Sequence, residues 1–138
     1  REVTEARQVF EIGVIPIVVE RATDEDIDAL RDMVAQHQTA LRDGQYGMAM
    51  SAAFHVRVAG CTHNSAIEML AHSFHGPLLM SLREAQIAAP LMGHRGTNEH
   101  SDFVEAVATR DANRAMHIMR THLERTARRV ARIDAGRA

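Results

Sequence analysis

The stretch Glu99-His100-Ser101-Asp102-Phe103-Val104-Glu105-Ala106-Val107-Ala108-Thr109-Arg110-Asp111, continued by Ala112-Asn113-Arg114-Ala115-Met116-His117-Ile118-Met119-Arg120-Thr121-His122-Leu123, decides the fold. On both sides of Thr109-Arg110-Asp111, apolar residues recur at three and four places, which is the helical period. This reads as a helical hairpin. One helix covers about Glu99 to Ala108, and a second covers about Ala112 to Ile133, with Asp111 as its cap. The same period runs through the rest of the chain, where proline is scarce and β-branched alternation almost absent. The expected fold class is all-α.

Working outward, a first helix is expected from about Val3 to Arg21, with Val9, Phe10, Ile12, Ile15 and Val19 as its apolar face and a kink at Pro16. Thr23-Asp24-Glu25-Asp26 resembles a capping box, in which Thr23 accepts from the Asp26 N–H and Asp26 answers back. It opens a second helix with Ile27, Leu30, Val34 and Leu41 buried, ended at Asp43-Gly44 by a left-handed residue. A third helix covers about Tyr46 to Ala59 and stops at Gly60. A fourth starts after Asn64, a good N-cap, bends at Pro77 and runs to about Ile87. The segment from Ala88 to Asn98, with Pro90, Gly93 and Gly96, reads as a loop over one end of the bundle. The expectation is an antiparallel bundle of about six helices.

With 138 residues, 46% hydrophobic and 25% charged, the chain has the size and composition of one globular domain with one core. A formal charge of -2 leaves no surplus of Lys and Arg for a phosphate backbone, so this chain alone is not expected to bind DNA. Its basic residues gather late, in Arg114, Arg120, Arg125, Arg128, Arg129, Arg132 and Arg137, where helical spacing spreads them over a solvated face. The single cysteine, Cys61, excludes an internal disulfide and fits a cytoplasmic location. The longest apolar run, Ile12 to Val19, is too short to span a bilayer and holds Gly13 and Pro16.

Nine histidines is a high number for this length. His100 and His122 lie about equally far from the turn at Arg110-Asp111. In an antiparallel pair such residues end up level, at an axis spacing of ~8–10 Å that lets two imidazoles point at one ion. His55 sits on the third helix, one turn after Ser51. Three neutral imidazoles from three helices can hold Zn²⁺, Ni²⁺ or another borderline divalent ion. The ordinary alternative is a set of hydrogen-bonded core histidines.

An ordered series spans the chain: Ala6-Arg7-Gln8-Val9-Phe10-Glu11, the pair Phe54-His55, Asn64 after a short turn, His100 ahead of Phe103-Val104-Glu105-Ala106-Val107, then Asp111 and Met119-Arg120-Thr121-His122-Leu123. From about Thr4 to Arg129 it resembles the FCD domain, the effector-binding and dimerisation domain of the FadR subfamily of GntR transcription regulators. The resemblance implies a helical bundle whose cavity holds a divalent metal on an Asp, a His four residues later, and two further histidines. The three histidine positions fall on His55, His100 and His122. The Asp position falls on Ser51, a neutral and poor ligand, so weaker affinity is expected unless water or the effector's own carboxylate completes the shell.

The resemblance also implies a small organic acid as effector, of the sugar-acid, hydroxy-acid or similar carboxylate type, and a homodimer. Arg7 and Glu11, one turn apart, match the family's Arg-x-x-x-Glu element. An arginine fork suits a carboxylate, while a plain surface ion pair is the bland alternative. Arg83 on the fourth helix is a lesser candidate for effector contact. The expected function is a ligand-sensing domain that controls DNA binding by a winged helix-turn-helix domain absent from this chain and expected to precede Arg1. No catalysis is expected. The alternative is a metal-dependent hydrolase with Glu11 as base, although the sequence has no His-Glu-x-x-His motif and no di-iron Glu-x-x-His pairs.

Overall fold

A computed structural model describes residues 2–74 and 92–137. Six helices are described: α1 (Glu2–Arg21), α2 (Asp24–Arg42), α3 (Met48–Gly60), α4 (Ser65–Ser73), α5 (Met92–Ala108) and α6 (Ala112–Arg137). The described residues contain no strand. Helix α1 packs along α6, α2 along α5, α5 along α6, and α4 against α3.

The helix ends follow local chemistry. Thr23 Oγ1 accepts from the Asp26 N–H at 3.1 Å, and Asp26 Oδ2 accepts from the Thr23 N–H at 3.0 Å, a complete capping box. Asp26 does more than cap. It is buried, takes Arg57 Nη2 at 3.0 Å and lies 2.6 Å from His63 Nε2, so it ties the start of α2 to the α3–α4 corner. At the far end of α2, Gly44 takes φ +69°, with Gln45 N–H donating to Ala40 O and Gly44 N–H to Leu41 O. These are the two bonds of a Schellman stop. The turn after α5 uses the same pattern with Arg110 at φ +59°, and Arg110 Nη1 reaches across to Val19 O at 2.8 Å. Asp111 caps α6 through the Arg114 N–H, and Asn64 caps α4 through two N–H groups.

The core lies between α1, α2, α3, α5 and α6, centred on Ile15, Val18, Leu30, Phe54, Phe103 and Leu123. Burying each such side chain contributes roughly 1.5–3 kcal/mol. Five expectations change. Val9 points to solvent, and Val14 and Val18 take the buried face of α1 in its place, because that helix is apolar nearly all round and its pattern fixes no single face. In α2, His37 is buried beside Val34 while Leu41 is only half-buried.

Helix α5 also begins at Met92, so residues 92–98 are helix and not loop. A Cβ at Gly96 would meet His122 Cε1 at an ordinary van der Waals distance of 3.6 Å, so α5 packs against α6 here, and that packing outweighs the poor helix propensity of glycine. Finally, Arg125 is buried, not on a solvated face. Helix α3 starts two residues later than expected, at Met48. The expected course from His75 to Leu91, with Pro77 and Arg83, lies outside the described residues.

Candidate metal and effector site

Three helices bring three imidazoles together. His55 comes from α3, His100 from α5 and His122 from α6, and all are buried. One ring nitrogen of each lies within 4.8 Å of the other two. The Nε2 atoms of His100 and His122 are 3.3 Å apart, as level placement across the α5–α6 turn requires. Two tetrahedral ligands at the usual Zn–N distance of ~2.05 Å would be separated by ~3.3 Å. Phe54 sets the His100 ring by stacking on it, with centroids 4.1 Å apart and planes 13° apart.

Carboxylates stand behind two of the rings. Glu11 Oε1 is 2.6 Å from His55 Nδ1, off the line of a good hydrogen bond, and Glu99 Oε1 is 3.1 Å from His122 Nδ1. Each carboxylate also holds an arginine. Arg7 Nε donates to Glu11 Oε2 at 2.5 Å, and Arg125 Nη2 pairs with Glu99. The result is two arginine–carboxylate–histidine chains, one entering from α1 and one along α5 and α6. Carboxylates in this position fix ring orientation and raise the basicity of a ligating imidazole. Arg7 and Glu11 therefore do not form a surface ion pair, since their side chains are only 4% and 12% exposed.

Several buried polar atoms here have no protein partner: Arg7 Nη2, His55 Nε2, His100 Nδ1, and Arg125 Nε and Nη1. Buried groups without partners are rare in folded proteins and call for an explanation such as a bound ion or ligand. Ser51 is buried one turn before His55. Beside it, burial pushes the Tyr46 phenol up, and the Ser51 and Thr97 side chains pull it partly back. No carboxylate replaces the missing one on α3.

Electrostatics keep the imidazoles neutral. Burial lowers His55 and pushes His100 well below its ordinary range, where the neighbouring histidines depress it further. Burial also brings His122 down to about 4, despite the opposing pull of Glu99. Burial, the largest influence, would raise Glu11, but Arg7 and His55 together outweigh it and hold the carboxyl below its usual range. The same balance, set by His122 and Arg125, lowers Glu99. A carboxylate held ionised by an arginine is a weak base, so Glu11 is poorly suited to the hydrolytic role.

These shifts fix a pH dependence. In the unfolded chain each histidine titrates near 6.5. Below that pH the unfolded chain takes up protons that the folded chain refuses, so stability is full above 6.5 and falls as pH drops toward 4. His122 alone accounts for a loss on the order of 2–3 kcal/mol by pH 4.5. Urea unfolding of chelator-treated protein at pH 7 and pH 4.5 measures it, and equal stabilities at the two pH values would contradict the burial described.

Beyond the three histidines, the structure places Arg7 and Glu11 beside His55 as a pair, whereas Arg83 lies outside the described residues. Sequence reasoning missed Glu99 and Arg125. Their only signal was position: Glu99 precedes His100, and Arg125 stands one turn after His122. A narrow slot with about 20 Å³ of free space opens beside His55, lined by Arg7, Glu11 and His55 and by apolar side chains that include Phe10, Val14, Phe74 and Met119. No described helix is long and apolar enough to cross a membrane.

Comparison with known proteins agrees with this architecture. The FCD domain model matches residues 2–125. The HTH-type transcriptional regulator LutR of Bacillus subtilis is 26% identical over 89% of this chain and 58% of its own length. The Uxu operon transcriptional regulator of Escherichia coli is 26% identical over 94% of this chain and 52% of its own length. The chain thus spans about half the length of these curated relatives, which are transcription regulators and not enzymes. Two solved structures share the fold. Streptococcus agalactiae GntR has a TM-score of 0.78 and 19% identity, covering 93% of this chain and 57% of that one. E. coli McbR/YncC has a TM-score of 0.83 and 13% identity, covering 95% and 63%. With the family model matching nearly the whole chain, this chain belongs to the FCD domain family.

Proposed function

We propose that this domain senses a small organic acid in a chamber built on His55, His100 and His122, with a divalent cation, Zn²⁺ or Ni²⁺, held by those three rings. The observation that carries the reading is the convergence of three buried, neutral imidazoles, with a buried arginine nitrogen lacking a partner at their side. Glu11 and Glu99 take up the Nδ1 side of His55 and His122, leaving Nε2 as the donor of each. They also supply the negative charge that Ser51 does not, one layer further from the ion. When bound, the cation supplies a Lewis-acidic position that an anionic ligand can complete. Arg7 offers the second contact, an N–H directed at a carboxylate.

The sensing event is relayed to a DNA-binding domain of the same polypeptide, with two copies of the chain forming a dimer in the cytoplasm. The DNA-binding part of that arrangement is supported by the name of the HTH-type transcriptional regulator LutR, of which this chain matches 58%. Effector binding to the folded state raises its stability by mass action, about 2.7 kcal/mol at a hundred times Kd. The test is thermal melting of the zinc-loaded chain with a panel of small carboxylates and their amides. At least one acid is expected to raise the melting temperature by several degrees while its amide does not, and Arg7→Gln is expected to erase the shift. A panel with no acid-specific shift contradicts the reading.

A further inference from the structure

The open end of the α5–α6 hairpin, away from the turn at Arg110, gathers arginines around Glu99. On α6, Arg125, Arg129 and Arg132 follow one another at four and three places, so they share one face of the helix. Arg95 lies on α5, one turn before Glu99. A Cβ at Gly96, the next residue, would stand 3.9 Å from Arg125 Nη2, which puts that guanidinium against the same stretch of α5. Burial lowers Arg129 from its ordinary value, Arg125 lowers it further, and Arg95 and Arg132 add to that, while Glu99 opposes them. An arginine stays charged through such a shift, so the four guanidiniums repel one another across one carboxylate. That carboxylate is already divided, with Oε1 turned to both Arg125 Nη2 and His122 Nδ1.

Arg125 forms the floor of the cluster. Its side chain is only 10% exposed, and its Nε and Nη1 are buried with no partner among the described residues. Arg129 is half-buried, and Arg95 and Arg132 are exposed, so the cluster opens to solvent and needs no enclosed cavity. We propose that this end of the hairpin binds a phosphate group, as inorganic phosphate or as the head of a small phosphorylated molecule. Arg125 lies beneath the anion, and Arg95, Arg129 and Arg132 ring it. A phosphate brings about two negative charges and three strong acceptor oxygens, enough to answer several guanidiniums at once, whereas a monocarboxylate brings a single charge. Seated over Arg125, it also supplies the acceptor that Nε and Nη1 lack. Glu99 connects this site to His122 without making it part of the imidazole trio, so the inference does not depend on a bound metal.

Calorimetric titration of the chelator-treated chain with inorganic phosphate at constant ionic strength tests this, since without divalent ions phosphate has no metal to ligate. One saturable site per chain is expected. Arg129→Gln and Arg95→Gln are each expected to weaken it about ten-fold, the loss of one charge-assisted contact, while helicity by circular dichroism is unchanged. Arg120→Gln, at an exposed position of α6 nearer the turn, is expected to change nothing. A short DNA duplex separates a small ligand from a nucleic-acid backbone, and with a net charge of -2 on the chain the duplex is expected not to bind. Phosphate that binds Arg129→Gln as tightly as the unaltered chain, or no saturable binding at all, overturns the inference. A duplex that binds where free phosphate does not overturns it as well.

Discussion

His100→Ala is expected to empty the metal site, lowering bound divalent ion from near one per chain to near zero and weakening Zn²⁺ binding more than about 100-fold, since loss of an outer-shell partner alone costs 10–100-fold. The ring is central because it touches both others, with centroids 5.0 Å from His55 and 4.8 Å from His122. His122→Ala is expected to behave alike. His37→Ala is the control, since His37 is buried but packs edge-on against Tyr46 at 5.7 Å and lies outside the trio. His117→Ala, on an exposed position of α6, is a second. Elemental analysis of the four purified variants decides the matter, and equal metal in all four would contradict the assignment. Glu99→Gln belongs between these extremes: it keeps the ligands but weakens the carboxylate behind His122.

Phe54→Ala is expected to cost about 3–5 kcal/mol of stability. Phe54 is 0% exposed, stacks on His100 and meets Phe103 edge-on at 6.4 Å, so its removal opens a cavity where the core and the site meet. Urea unfolding of chelator-treated protein isolates the packing loss from any metal contribution. In metal-loaded protein a further loss is expected, because the stack that fixes the His100 ring has gone. A destabilisation below about 1 kcal/mol in the chelated protein would contradict the packing role given to this ring.

Much of the bundle was legible in the sequence because its punctuation is local. The Thr23–Asp26 box, Gly44, Asn64 and the turn at Thr109-Arg110-Asp111 act within a few residues, and each sits where its chemistry predicts. The beginning of α5 was not legible. Gly93 and Gly96 read as breakers, whereas the helix runs through both from Met92, and at Gly96 it packs against His122 and Arg125 of α6, a tertiary contact that local pattern does not encode.

The candidate site divides along the same line. His100 and His122 could be paired from their distances to one turn, because an antiparallel hairpin maps sequence symmetry onto spatial level. His55 could be added only as a histidine on another helix, since no shared turn ties α3 to that hairpin, and the family resemblance strengthened its place. Glu99 and Arg125 stayed hidden because a charged residue on a helix normally faces solvent, and only the α5–α6 contact turns this pair inward. Arg7 and Glu11 had two readings at i,i+4 spacing, and the burial of both side chains, which spacing does not encode, separates them.

The most direct test of the account is the metal content of this chain purified without an affinity tag, measured by elemental analysis before and after a chelator, with thermal melting alongside. Close to one divalent ion per chain, removed by the chelator with a fall in melting temperature, is the predicted result. Protein that holds no divalent ion after equilibration with zinc, and melts at the same temperature with and without chelator, would contradict it.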